Sequence, residues 1–422
     1  MGRLLPSIVD IIHQDSTDTF TGTHWRLSQV GGTLLDESMT LDENEIRDGT
    51  LLLLTAVEPP APEWVVCDPS HAVAQTAHMT GVTALRLMSV FCCLFLSAAG
   101  AAALVWSAAP TATAGHLMTA SGPAVAAALA AVVTCRIQPD PALITTLCVV
   151  AVAYTAVAGF LAVPAGAPLA HVLLAAAAAL SMAIVLLRLI DSGTICLTAI
   201  ATFTLLVAAV AAAGVAWHFP PVAVGAGLAT ASLATMGVAP RLAIRVAGVG
   251  PSMPSVDDPD GPFLECAAAD RAAHAHRTLT GLVTGASSSA SVGCAVVAFG
   301  DPGDGPSFDV VTFILVIGLI LILRTRTHAD AVRRIALTTG GMISASALFA
   351  SCVVSMPEQV RWLSLLAAAT GFAALSRFFG PTIGPIASRT VELVEYVALA
   401  AVVPVACWVS GLYGVVRGLG LI

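Results

Sequence analysis

The apolar positions divide the chain into two unequal parts. Residues 1–57 mix short apolar runs with polar turns, whereas the chain from residue 84 onward consists mainly of long apolar runs. A run needs about 20 apolar residues to cross the roughly 30 Å hydrocarbon core of a bilayer. The pattern therefore predicts a small N-terminal domain over 1–57, a linker over 58–83 and a transmembrane domain over 84–422.

The transmembrane domain contains about eleven runs of this kind. Proline or charged residues such as Pro110, Asp191 and Pro357 separate them. The predicted spans lie near 85–108, 115–135, 141–162, 168–188, 193–216, 219–239, 277–299, 308–324, 335–355, 360–378 and 393–416.

The N-terminal domain reads as a small α+β unit. Apolar residues recur at helical spacing over 4–12, and the segments 24–30 and 50–57 have the composition of strands. Between them lies a turn-rich stretch that includes Gly31-Gly32 and Asp48-Gly49. The predicted order is helix, strand, short strand, turn, strand.

Composition agrees with a membrane protein. The chain is 57% hydrophobic and only 10% charged, whereas a soluble domain is about 25% charged. Such a chain cannot cover itself with polar surface in water, so lipid must be the solvent for most of it.

The distribution of arginine gives the orientation. All 18 basic residues are Arg, and 15 of them lie beyond the N-terminal domain. With eleven spans and a cytoplasmic N-terminus, thirteen of these fall on the cytoplasmic side, and only Arg361 and Arg417 fall outside. Because short cytoplasmic loops retain arginine during insertion, we expect an inner-membrane protein with a cytoplasmic N-terminus and a periplasmic C-terminus.

The longest predicted loop, 240–276, is then cytoplasmic and acidic. It contains Asp257, Asp258 and Asp260. Two interpretations remain open for these carboxylates. They belong either to a solvated acidic loop or to a docking surface for a basic partner segment.

The spans lack the residues that membrane chemistry requires. No Asp, Glu, Arg or Lys lies near the middle of any predicted span, and the nearest candidates are Asp309, Glu392 and Glu395 at span ends. Ion-coupled transport needs such groups within the membrane. No GxSxG, HExxH or P-loop motif occurs, and the ten Cys form no CxxC pair. We therefore expect no catalytic, cofactor-binding or metal-binding residues, and the chain is not predicted to be an enzyme.

Small residues recur every four positions on several spans. Such ridges let helix backbones approach closely, so the serines at 287–289 are read as packing residues in preference to an intramembrane nucleophile. The three predicted ridges are Gly281, Gly285, Ser289 and Gly293 on the seventh span; Ala223, Gly227, Ala231 and Thr235 on the sixth; and Ala336, Gly340 and Ser344 on the ninth.

The segment HWRLSQVGGTLLDESMTLDENEIRDGTLLLL resembles the second half of a ubiquitin-like fold. A ubiquitin-like domain followed by eleven spans resembles EccD, the integral-membrane component of type VII (ESX) secretion systems in mycobacteria and relatives. The expected fold is thus an α-helical polytopic membrane protein with a small N-terminal ubiquitin-like α+β domain. A ubiquitin-like fold opens with a hairpin, so we expect the first hairpin to be absent or to lie upstream of Met1.

The resemblance implies a structural function and particular partners. It implies a dimerising membrane scaffold that assembles with EccB, with the ATPase-bearing EccC, with EccE and with a second EccD copy. Which ESX system the chain serves is left open, with the third mycobacterial system as the first choice. The competing hypotheses are a secondary transporter and an intramembrane enzyme. The expected cytoplasmic docking residues are Trp25, Asp48, Asp257, Asp258 and Asp260.

The orientation can be tested with a reporter that is active only outside the cytoplasm. Fused after Ile422, the reporter should be active, and inserted near Pro254 it should be silent, because the arginine split places the two positions on opposite sides. The opposite pair of results would contradict the predicted number of spans.

Overall fold

The computed structural model describes residues 24–29, 35, 40, 43–44, 46–47, 49–57, 69–108, 114–137, 140–163, 167–190, 192–248, 261–300, 306–355, 358, 360–362, 364–365, 368–369, 371 and 385–413. The helix predicted over 4–12 lies outside these residues. The chain divides into two compact units, 1–84 and 85–422.

Two strands are described in the N-terminal unit. Strand β1 (His24–Gln29) pairs antiparallel with β2 (Leu52–Val57), with His24 opposite Val57 and Gln29 opposite Leu52. Leu27 in β1 is buried. Both strands lie within the segments that sequence composition identified as strands.

Ten long helices account for most of the described chain. They are α1 (Pro69–Ala108), α2 (Ala114–Ile137), α3 (Pro141–Leu161), α4 (Pro168–Leu189), α5 (Thr194–Trp217), α6 (Pro221–Val246), α7 (Gly261–Phe299), α8 (Phe308–Arg324), α9 (Ala331–Ser355) and α10 (Pro385–Val409).

Nine of these helices contain a segment long and apolar enough to cross a membrane. The tenth, α8, has 17 residues and reaches about 26 Å, slightly less than the hydrocarbon thickness. Ten of the predicted spans are therefore helices. The span predicted near 360–378 lies mostly outside the described residues. The loop predicted over 240–276 is shorter than expected, because α6 continues to Val246 and α7 already begins at Gly261.

Several helices begin where the sequence indicated a break. Pro141, Pro168 and Pro221 occupy the first turns of α3, α4 and α6, where a missing backbone N–H costs nothing. Asp140 caps α3, since its side chain accepts a hydrogen bond of 3.0 Å from the backbone N–H of Ala142. The prolines thus start helices at the membrane boundaries as well as ending them.

The helices pack around two large hydrophobic cores, and a small third cluster joins α1, α2 and α3. One core joins α2, α3, α4 and α5, and the other joins α6, α7, α8, α9 and α10. Helix α7 packs against α5, α6, α8 and α9, and therefore links the two cores. Phe313 and Ile317 of α8 are fully buried, whereas none of the span Leu85–Ser107 of α1 is buried. The bundle is thus centred on α7.

Candidate functional site: the central helix and its packing surfaces

Glycines of α7 bring its backbone against α5. A Cβ atom at Gly285 would collide with the carbonyl oxygen of Ala199 and would lie 2.8 Å from Cβ of Thr202. A Cβ atom at Gly281 would collide with the side chain of Thr198. Any larger residue at these two positions must therefore displace the α5 backbone or its threonines.

The same ridge meets α6 farther along the helix. A Cβ atom at Gly293 would lie 2.7 Å from the carbonyl oxygen of Gly225 and 2.8 Å from the backbone nitrogen of Ala229. The reciprocal position is equally tight, because a Cβ atom at Gly225 would lie 2.8 Å from the carbonyl oxygen of Gly293. The two glycines permit backbone-to-backbone contact between α6 and α7.

The predicted ridge of α6 lies beside this contact. Gly227 and Ala231 are half-buried, and a Cβ atom at Gly227 would make an ordinary contact of 3.6 Å with Val210 of α5. The close approach to α7 uses Gly225 and Ala229 instead. The sequence indicates this pair as a candidate, since both residues are small and four positions apart. It does not single the pair out, because α6 contains several such pairs.

The three serines of α7 have different environments. Ser287 donates a hydrogen bond of 2.8 Å to the backbone carbonyl of Ala336 in α9. Ser289 is buried and donates to the carbonyl of Gly285, whereas Ser288 is exposed and donates to the carbonyl of Thr284. Each hydroxyl thus bonds to a backbone carbonyl, and none bonds to a side chain that could act as a base.

Helices α7 and α9 are joined at two levels within the membrane. Besides the bond from Ser287, Ser351 of α9 donates a hydrogen bond of 2.7 Å to the carbonyl of Ala298 in α7. Gly340 of α9 makes room for the first of these bonds, since a Cβ atom there would collide with the hydroxyl of Ser287. The predicted ridge residue Ser344 is buried on the same helix.

A buried arginine makes a third connection, between the middle of α7 and the start of α9. The Nε atom of Arg333, a residue only 7% exposed, donates to the hydroxyl of Thr280 at 3.1 Å and to the carboxylate of Asp330 at 3.3 Å. Its Nη2 atom lies 2.7 Å from Nδ1 of His276. From the sequence, Arg333 was identified only as one of the cytoplasmic arginines. The pairing of Asp330 with Arg333 at i, i+3 could have indicated the ion pair, but not its partners on α7.

The cluster shifts the titration of its aspartate. Burial raises the pKa of Asp330, but hydrogen bonds from the backbone N–H of Val332 and from Thr280, with the charge of Arg333, outweigh it and lower the pKa below its usual value. Burial, together with nearby Arg charges, lowers the pKa of His328. The two shifts favour the ionised carboxylate of Asp330 and the neutral imidazole of His328.

A second half-buried ion pair lies between α8 and α10. The Nε atom of Arg324 is 3.8 Å from a carboxylate oxygen of Glu395. Arg324 is the last residue of α8, whereas Glu395, which was predicted at a span end, lies well inside α10 because that helix begins at Pro385. In the part of the chain that the structure describes, no group of three or more His, Cys, Asp or Glu residues could hold a metal ion.

The predicted docking residues are only partly described. Trp25 lies in β1, opposite Ala56 of β2. Asp48 and the three loop aspartates, Asp257, Asp258 and Asp260, lie outside the described residues, so their role stays a prediction.

The helices and the packing around α7 define a polytopic α-helical membrane protein. The family model of the EccD-like transmembrane domain matches residues 85–419, and that of YukD, a protein of the WXG100 protein secretion system, matches residues 1–54. The chain therefore belongs to the EccD family, and the predicted resemblance and fold class are confirmed.

Similar proteins extend over the whole chain. The ESX-4 secretion system protein eccD4 of two Mycobacterium tuberculosis strains, CDC 1551 and H37Rv, is 34% identical, covering 100% of this chain and 93% of the relative. Protomer 1 of the ESX-3 core complex matches with a TM-score of 0.67 at 22% identity, over 97% of this chain and 94% of that chain. A chain of a MycP5-free ESX-5 inner membrane complex matches with a TM-score of 0.58 at 20% identity, over 88% and 91%.

Replacing Gly285 with Leu should destabilise the bundle, because the new side chain meets the α5 backbone. We expect a loss of at least about 3 kcal/mol, the upper part of the range for overpacked cores, with normal membrane insertion. Thermal unfolding of the purified protein in detergent measures the effect. Gly237→Leu in α6 is the matched control, since nothing lies within 4 Å of a Cβ atom there.

The serine hydroxyls should contribute unequally. Ser288→Ala and Ser289→Ala should be nearly silent, whereas Ser287→Ala should cost about 0.6 kcal/mol, the average for hydrogen bonds between membrane helices. Loss of function in Ser288→Ala without loss of stability would indicate a chemical role for that serine and would contradict the packing interpretation.

The protein should lose stability in acid through Asp330. A carboxyl whose pKa is lowered on folding stabilises the folded state above its ordinary pKa, and that contribution disappears as the pH falls through the lowered value. Thermal unfolding between pH 7 and pH 3 should therefore show a smaller acid-dependent decline in Asp330→Asn, which should also be less stable at pH 7. An unchanged acid profile would contradict the role of this group.

Proposed function

We propose that this chain is a structural membrane component of a type VII (ESX) protein secretion complex and that it scaffolds the other subunits in the inner membrane. The carrying observation is the order of the two family matches, a YukD-type domain over 1–54 followed by an EccD-like transmembrane domain over 85–419. The packing around α7 supports this proposal, because small residues and serine-to-backbone bonds serve helix association.

The proposed orientation places the N-terminal domain, the segment predicted as the 240–276 loop (which includes the end of α6 and the start of α7) and the ends of those two helices in the cytoplasm, and the C-terminus outside. The arginine split supports it. In this orientation the ion pairs of Arg333 and Arg324 lie at the cytoplasmic ends of their helices. The side chains within the membrane are then mainly apolar, and the hydroxyls among them donate hydrogen bonds to backbone carbonyls. Such an interior is suited to a scaffold.

The proposed partners are EccB, the ATPase-bearing EccC, EccE and a second EccD copy. The curated relatives at 34% identity are named as ESX-4 proteins. We therefore propose an ESX-4-type system in place of the third mycobacterial system, which the sequence resemblance had suggested first. The N-terminal domain and the 240–276 loop are the proposed cytoplasmic docking elements, with Trp25, Asp48 and the loop aspartates as their contact residues.

Deleting residues 1–57 should leave the spans inserted but weaken association with the ATPase component. Mild detergent extraction of the tagged protein, followed by identification of the proteins that co-purify, measures this. Ser288→Ala in the full chain serves as a control that should retain every partner. A full-length protein that purifies as a lone monomer or dimer would argue against the scaffold and favour a secondary transporter.

Simultaneous replacement of Asp257, Asp258 and Asp260 with Asn tests the loop separately. If the loop docks a basic partner segment, one subunit should be lost from the purified complex, and more readily as salt is raised. Full retention of all subunits at every salt concentration would contradict the docking interpretation and support a solvated acidic loop.

A further inference from the structure

The connection between α8 and α9 carries more positive charge than its acids neutralise. Residues 324–334 contain four Arg and a single Asp. Arg324 is paired with Glu395 at 3.8 Å, and Arg333 is paired with Asp330 at 3.3 Å. Both carboxylates are thus already in ion pairs with arginines. The other two arginines of this segment are not part of these pairs.

These two arginines, Arg326 and Arg334, are exposed, and neither side chain forms an ion pair or hydrogen bond with any residue that the structure describes. Arg389 of α10 is similarly exposed. It precedes Glu395 by six residues, or roughly 9 Å along the helix, and Glu395 contacts the last turn of α8. Arg326 follows the last residue of α8, while Arg334 and Arg389 lie in the first turns of α9 and α10. We call these three exposed arginines the basic rim.

Exposed apolar side chains continue from the rim into the membrane. On α9, Ile335 follows Arg334 directly, and Met342 lies two turns deeper on the same face. On α10, Leu393 and Tyr396 follow Arg389 by about one and two turns. All four are more than half exposed. A helix surface of this kind in a membrane span faces hydrocarbon.

A cationic rim above an apolar surface fits a ligand with an anionic head and acyl chains. Guanidinium groups bind phosphate oxygens through paired, charge-assisted hydrogen bonds. A soluble phosphate would use the rim alone, whereas a phospholipid uses both the rim and the surface below it. An acidic protein segment would leave the apolar side chains without a matching partner.

We propose that the basic rim binds the phosphate headgroups of anionic phospholipids whose acyl chains lie along the exposed faces of α9 and α10. The proposed orientation matters here only because it assigns the bound lipid to the cytoplasmic leaflet. It does not depend on assembly of the secretion complex, so the two proposals can fail separately.

The test uses the full chain reconstituted in vesicles of equal parts phosphatidylglycerol and phosphatidylcholine. After extraction in mild detergent, mass spectrometry measures the ratio of the two lipids that remain bound. The wild type should be enriched in phosphatidylglycerol. Each of Arg326→Gln, Arg334→Gln and Arg389→Gln should lower that enrichment about fivefold, the factor that corresponds to about 1 kcal/mol per cation at a lipid surface.

Two controls make the result specific. Arg361→Gln, at an exposed arginine predicted on the opposite side, should retain the enrichment, and the Lys variants of the rim should retain most of it because the charge is preserved. Inorganic phosphate in the extraction buffer should not displace the lipid. The proposal is overturned if the triple Gln variant remains enriched, if Arg361→Gln loses as much, or if phosphate alone displaces the lipid. It is also overturned if the rim variants lose a co-purifying acidic protein while lipid binding is unchanged.

Discussion

Helix association in lipid has no hydrophobic driving force, because the lipid tails are as apolar as the side chains that would be buried. The structure depends on this constraint. What remains is dispersion, which requires surfaces to touch, and hydrogen bonds, which few groups are free to make. Gly281, Gly285 and Gly293 remove the side chains that would separate α7 from α5 and α6, and the contacts that result join backbone to backbone. Both cores therefore meet along one helix.

The polar groups of the bundle follow the same constraint. A hydroxyl can reach a carbonyl on a neighbouring helix only where the two backbones are already close, as at Ser287 and Ser351. Charged groups are tolerated at helix ends, where Arg333 and Arg324 find carboxylates and water is near. A membrane domain built in this way binds its own helices, and its remaining specificity lies at its surfaces.

The sequence predicted the spans well because a 20-residue apolar run has few other uses in a protein. It also predicted the glycine ridge of α7, because the four-residue spacing there is unbroken. It could not select Gly225 and Ala229 on α6 over Gly227 and Ala231, because in an Ala-rich helix the choice depends on the rotation of the helix about its axis. The contact of Arg333 with His276 and Thr280 could not be predicted from the sequence either. These residues are more than 50 positions apart, and they meet only after α7 and α9 have packed.

Helix α7 is also longer than the membrane needs. Its 39 residues extend about 58 Å, nearly twice the hydrocarbon thickness. The helix is unbroken from Gly261 to Phe299, and four neighbouring helices pack against it. A sideways load on its first turns would meet no proline at which the helix could bend, because this helix contains none beyond its second residue. Such a load would tilt the helix as a lever against α5, α6, α8 and α9 together.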